Sequence, residues 1–198
     1  MMKKVAIFGC KKTTSLLFNS LKDKIDIHSV ITVHPDVAKK NHIADFYSLI
    51  EYKKEVNFYY ESSEYSLNNP DDQKSIIQEN MDLAFVMGWQ RIIPKVILDS
   101  FSIGVFGMHG SSMNLPEGRG RSPLNWSLIE GRKEFYTNLF KYNPGVDDGD
   151  ILGTKRFSIS QEDDIETLHY KNYLSMISLI KENISFLLND NFILKKQK

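Results

Sequence analysis

The chain has 198 residues, 41 % of them apolar, and its 25 basic and 25 acidic side chains cancel. That length suits one domain with a sizeable core, and the absent basic excess argues against a nonspecific nucleic-acid binder. The one cysteine, Cys10, rules out an intrachain disulfide and fits a reducing cytoplasm as a small buried residue. No apolar run nears the roughly 18 residues of a membrane span, and MMKK is too short to act as a signal peptide.

The amino-terminal half alternates between strand and helix patterns. KVAIFG (4–9) is a β-branched and aromatic run closed by glycine, and predicts a buried strand. Thr13 or Thr14 then caps a helix through Leu21, with Leu16, Leu17 and Leu21 on one face. HSVITV (28–33) is a second strand, stopped by Pro35, and a polar stretch with weak helical signals follows. VNFYYE (56–61) is a third strand, Asn69-Pro70-Asp71-Asp72 starts a helix, and LAFVMG (83–88) is a fourth strand. Pro94 opens a short helix, and IGVFGM (103–108) is a fifth strand. Such alternation predicts an α/β fold with a Rossmann-like, mostly parallel sheet and flanking helices.

After residue 108 the pattern changes. SPLNWSLIEG (122–131) reads as a helix ended by Gly131. EFYTNLFKY (134–142) and ILGTKRFSI (151–159) read as strands around an acidic loop, most simply an antiparallel pair. A C-terminal helix runs from about Asp163-Asp164 to Leu188 with Ile165, Leu168, Met176, Ile177, Ile180, Ile184 and Leu187 at helical spacing. The expected organisation is one domain over residues 1–190 and a frayed tail at 191–198. There is no internal repeat.

Chemistry concentrates after the fifth strand. His109 stands where that strand empties into a loop, the end at which open α/β sheets keep their ligands. Gly110 and the hydroxyls of Ser111 and Ser112 adjoin it, whereas His28, His34, His42 and His169 lack such surroundings and read as non-catalytic. NPGVDDGD (143–150) holds Asp147, Asp148 and Asp150, which suit a solvated turn, a catalytic partner for a histidine, or oxygen ligation of a cation without EF-hand spacing. No metal is expected. EGRGRSP places Arg119 and Arg121 between glycines, where guanidinium forks meet phosphate or carboxylate. MGWQRIIP (87–94) offers a flat heterocycle backbone donors and an apolar wall. Neither G-x-G-x-x-G nor G-x-x-x-x-G-K-[ST] occurs, so neither NAD nor ATP is claimed.

These four segments, in this order, resemble the folate-dependent formyltransferases, a family that includes methionyl-tRNA formyltransferase, glycinamide ribonucleotide transformylase and the sugar N-formyltransferases. His109, Ser111, Leu115-Pro116, Arg119-Gly120 and Pro123 match the family's histidine segment, and Val146 to Ile151 match its aspartate loop. The resemblance implies that His109 and Asp147 are a catalytic proton-handling pair. It implies that 10-formyltetrahydrofolate is the co-substrate, held by Met87, Gly88, Trp89, Arg91, Ile92, Ile93, Gly107, Pro144 and Val146. An amine substrate would meet Ser111, Ser112, Arg119, Arg121 and Asn125, with Trp126 or Trp89 as a stacking surface. Two departures stand out: Gly107 replaces the family's asparagine, an oxyanion donor, and an insertion before Pro116 brings in Asn114. Asn114 or Ser111 is the expected stand-in, and Asn114→Ala should then slow transfer at least about tenfold. Otherwise the chain is a non-catalytic folate-binding relative.

The EGRGRSPLNWSLIEG segment resembles the short sugar N-formyltransferases most, so the expected acceptor is a nucleotide-linked amino sugar. Glycinamide ribonucleotide and methionyl-tRNA are the alternatives. Within 198 residues there is no room for the tRNA enzyme's further domain, and no nucleic-acid or membrane partner is expected. The apolar C-terminal helix can contribute to a homodimer.

Overall fold

In the computed structural model, residues 2–197 are described. Met1, the first residue of the expected domain, and Lys198, the last of the expected tail, lie outside them. The strands form a seven-stranded sheet in the order β3-β2-β1-β4-β5-β6-β7. The chain also divides into two compact units, one ending at Phe106 and the other beginning at Gly107, within the fifth strand.

In the first unit, β1 (Val5–Phe8), β2 (Ile27–Val33), β3 (Phe58–Ser62) and β4 (Leu83–Val86) run parallel. Ile7 sits between Val30 of β2 and Phe85 of β4. Every residue of β1 and β4 is buried, which is why both read as continuous apolar runs rather than alternating ones. The intervening helices are α1 (Lys12–Leu21), α2 (Pro35–Lys40), α3 (Pro70–Ile77) and α4 (Lys95–Leu98), with a 3-10 turn at Ile50–Lys54. The helix α1 starts earlier than the threonines suggested, with Lys11 as its N-cap residue. Thr14 Oγ1 accepts from the Lys11 amide at 3.3 Å, from the third position of the helix, and donates to the Met87 carbonyl at 2.6 Å. Asn69 caps α3 as its sequence predicts.

Cys10 follows β1 and is fully buried, and its thiol donates to the Gly88 carbonyl. Burial, opposed by smaller effects of Tyr65 and Lys11, pushes that thiol up to about 11. At pH 8 roughly one thiol in a thousand is then ionised, so Cys10 should resist a thiol-directed disulfide reagent until the protein is unfolded. Stoichiometric labelling of the native protein within minutes would contradict this.

The second unit holds the end of β5 (Gly104–Ser111), α5 (Pro123–Ile129), β6 (Glu134–Lys141), β7 (Ile151–Ser158) and α6 (Ile165–Leu188). β6 and β7 are antiparallel, as expected from the loop between them. β5 extends to Ser111, beyond the expected end at Met108, so His109 lies inside the strand near its carboxyl end. Gly110 permits the extension: a Cβ there would stand 2.4 Å from the Phe135 ring on β6. Asp164 and Thr167 form a capping box that starts α6. Leu124, Phe135, Ile159 and Leu168 make one core cluster, and Leu115, Phe140 and Ile151 make another, against which Tyr142 packs.

The tail is not frayed. Lys195 makes an antiparallel bridge with Ile151, each amide donating to the other's carbonyl at 2.8 Å. β7 would otherwise leave its first amide unpaired, and the tail satisfies it.

Candidate active site

In the second unit, β5 carries His109 with only 9 % of its surface exposed. Its Nδ1 lies 3.4 Å from Asp147 Oδ2, and its Nε2 lies 2.8 Å from the Gly118 carbonyl oxygen. A carbonyl and a carboxylate both accept only, so the ring engages both partners at once when each nitrogen carries a proton. The carbonyl reaches the ring because Gly118 adopts φ +71° and has no side chain; a Cβ there would fall 2.1 Å from Ser111 Oγ. The spacing between residues 109 and 147 is bridged by α5 and β6, which return the acidic loop to the end of β5.

Asp147 is held in a left-handed conformation, φ +50°, at a turn where aspartate tolerates it. The Gly120 amide stands 3.5 Å from its Oδ2. The Asp147 and Gly149 carbonyls accept from Gln197 Nε2 at 2.9 and 2.7 Å. Gln197 Oε1 in turn accepts from Arg119, so one tail glutamine ties the arginine loop to the aspartate loop. Gln197→Ala should therefore speed amide exchange in residues 148–150 about tenfold, the equivalent of one hydrogen bond. Unchanged exchange there would remove the tail from any part in holding the loop.

Asp148 Oδ1 is buried without a hydrogen-bond partner, and among the described residues there is no acidic or histidine cluster able to hold a metal. Ser111 is buried and its Oγ accepts from the Met113 amide. Asn114 is exposed, and its Oδ1 accepts from the Leu115 amide at 3.0 Å. Ser112 is partly buried, whereas Arg119, Arg121, Asn125, Pro144 and Val146 are exposed, and Trp126 is 56 % exposed on α5.

Gly107 has the most crowded surroundings on the strand. A Cβ there would lie 2.0 Å from Tyr142 Cε1 and 2.3 Å from its hydroxyl oxygen. The sequence had placed Tyr142 only as the last residue of a strand; its one signal is a large aromatic where a neighbour has lost its side chain.

In the first unit, Met87 and Trp89 are buried, Ile93 is 1 % exposed and Ile92 is exposed. Trp89 stands edge-on to Phe8 and Tyr65, with ring centroids 6.2 and 5.1 Å away. Its indole N–H is buried with no partner among the described residues. Arg91 lies over the Tyr65 ring at 5.0 Å, and the Gln90 amide donates to the Tyr65 hydroxyl. The Met87 amide donates to the Phe8 carbonyl, the Met87 carbonyl accepts from Thr14, and the Gly88 carbonyl accepts from Cys10. The amides of Gly88 and Trp89 make no hydrogen bond among the described residues and stay open as donors. The amides of Ile92 and Ile93 make no hydrogen bond among the described residues.

The end of β5 thus brings a buried imidazole to a partly buried carboxylate. A family model described as formyl transferase matches residues 3–174. The chain belongs to the formyl transferase family. A methionyl-tRNA formyltransferase from Buchnera aphidicola (strain Tuc7) is 33 % identical over 132 residues, covering 67 % of this chain and 41 % of that protein. The chain thus spans about two fifths of the length of the curated relatives it matches. Glycinamide ribonucleotide transformylase 1 from Symbiobacterium toebii superposes with a TM-score of 0.77 at 16 % identity, covering 100 % of this chain and 95 % of that one. A sugar 3N-formyl transferase, WlaRD, in the presence of dTDP and 5-N-formyl-THF, superposes with a TM-score of 0.71 at 21 % identity, covering 100 % and 67 %. Among the described residues no helix is long and apolar enough to cross a membrane.

Proposed function

We propose that this protein transfers the formyl group of 10-formyltetrahydrofolate to the amine of a nucleotide-linked amino sugar. The observation that carries the reading is buried His109 paired with partly buried Asp147 at the carboxyl end of β5, 3.4 Å apart. Support for the folate comes from residues 87–93. They combine a buried apolar wall with an unpaired indole N–H and unpaired amides at Ile92 and Ile93, a donor set that suits a heterocycle rich in acceptors. Met87, Trp89, Ile92 and Ile93 would hold the ring, with Arg91 at its edge and Gly88 shaping the turn at φ +80°. When bound, the folate supplies the activated formyl group.

A singly protonated His109, with Nδ1–H kept on Asp147 and Nε2 released from the Gly118 carbonyl, takes the proton that the acceptor amine loses on attack and passes it towards the leaving nitrogen. Asp147 orients the imidazole and offsets its charge. The exposed guanidinium groups of Arg119 and Arg121 would meet the acceptor's diphosphate, with Ser111, Ser112 and Asn125 towards the sugar and Trp126 as a stacking face. The sugar N-formyl transferase likeness and the arginine pair favour that acceptor class. Incubation with 10-formyltetrahydrofolate and a panel of nucleotide-linked amino sugars, glycinamide ribonucleotide and methionyl-tRNA, following tetrahydrofolate release, tests it. Turnover with an amino sugar is the expected result. Turnover with only another acceptor would replace the substrate, and folate binding without any turnover would leave a binding protein.

A further inference from the structure

Residues 107 and 109 are two apart in β5 and share one face of the strand. The alternation holds here: a Cβ on Gly110 would point at Phe135 and Asn172, whereas a Cβ on Gly107 would point at Tyr142. The space beside the His109 imidazole, on the imidazole's own face, is therefore filled by the Tyr142 phenol. Its ring is fixed by packing against Phe140, with centroids 5.3 Å apart, and against the cluster of Leu115 and Ile151. Its hydroxyl makes no hydrogen bond among the described residues, although it sits 2.3 Å from where a side chain at 107 would begin. A rigid donor beside a proton-handling pair, free of protein partners and open to the site, is placed to meet a ligand oxygen without breaking any other hydrogen bond.

We propose that the Tyr142 hydroxyl is the oxyanion donor of this site, occupying the place that glycine at 107 leaves open. The assignment deepens the formyl-transfer reading and rests on it. In that reaction the acceptor nitrogen bonds to the formyl carbon, and the bond from that carbon to the folate nitrogen breaks with its electron pair. The amine proton travels by way of His109 to that nitrogen, and the formyl oxygen carries negative charge only between these two events. Tyr142 donates to that oxygen and transfers no proton. Burial, and then the nearby Asp147 charge, push the phenol above its ordinary range, which keeps its proton in place at neutral pH.

The test compares wild type, Tyr142→Phe, Tyr142→Ala and the double variant Gly107→Asn with Tyr142→Ala. Tyr142→Phe keeps the ring packing, and should lower kcat about 100-fold while leaving the KM for 10-formyltetrahydrofolate within about twofold. The double variant should recover at least about tenfold over Tyr142→Ala, because an amide then occupies the vacated space. A second readout needs no turnover: the infrared stretch of [13C]formyl-labelled 10-formyltetrahydrofolate bound without acceptor should lie lower in wild type than in Tyr142→Phe. Wild-type kinetics and an unshifted carbonyl in Tyr142→Phe overturn the assignment alone. Bound folate with no turnover for any acceptor overturns the transfer reading and with it the catalytic part of the assignment. A wild type that does not bind the folate overturns both.

Discussion

His109→Ala is expected to lower formyl-transfer turnover by about 100-fold to 10,000-fold, the range for losing a positioned general acid–base group. The thermal midpoint should fall by no more than about 4 °C, because the ring contributes one hydrogen bond, to Gly118, and one ion pair at 3.4 Å. Asp147→Asn should be somewhat milder, since an amide still orients the imidazole but cannot offset its charge. The double variant should be little worse than His109→Ala, because the two side chains act through one proton path. Steady-state kinetics with saturating 10-formyltetrahydrofolate measure all three. A fully additive double variant would mean that His109 and Asp147 work separately.

The second large effect concerns stability and lies in the first unit. Asp72 is 1 % exposed, and its carboxylate accepts from the Tyr60 hydroxyl, the Ser63 amide and hydroxyl, and the Glu64 amide at 2.9–3.1 Å. It stands in the first turn of α3, where the helix dipole favours negative charge. Asp72→Ala removes the common acceptor and leaves the Ser63 and Glu64 amides unpaired. The expected cost is about 3 kcal/mol, or a thermal midpoint lower by roughly 6–12 °C. Asp72→Asn should recover part of this, because one amide oxygen can still accept from Tyr60 and Ser63. A midpoint shift below about 2 °C for the alanine variant would show that water satisfies those donors in its place.

Much of the fold was legible because its elements depend on local pattern. β1, β2 and β4 read as apolar runs closed by glycine or proline, β5 as an apolar run emptying into a polar loop, and α6 as a stripe at helical spacing behind an aspartate pair. The weaker readings failed where a distant contact won. Thr14 resembled the cap residue but sits inside α1, where its hydroxyl serves both the Lys11 amide and the carbonyl of Met87, 73 residues away. The tail is polar enough to fray but pairs with β7 because that strand's first amide needed a partner. Asp72 resembled an ordinary residue of a helix start; that it gathers donors from β3 and the following turn depends on strand placement that no local pattern encodes.

The candidate site divides along the same line. From the sequence alone came the α/β class, His109 at a strand end, an aspartate loop to partner it, and glycine standing where a donor was expected. The first three follow from residue type and spacing, which the backbone translates directly into strands, turns and loops; the missing donor at Gly107 follows from the family resemblance. The tertiary structure decided that Gly118 presents its carbonyl to the imidazole and that Gln197 clasps the aspartate loop. It also decided that the space beside Gly107 belongs to Tyr142, 35 positions along the chain. A ring just past the end of β6 fills the space that a residue without a side chain leaves on β5, and that space exists only once the strands are assembled.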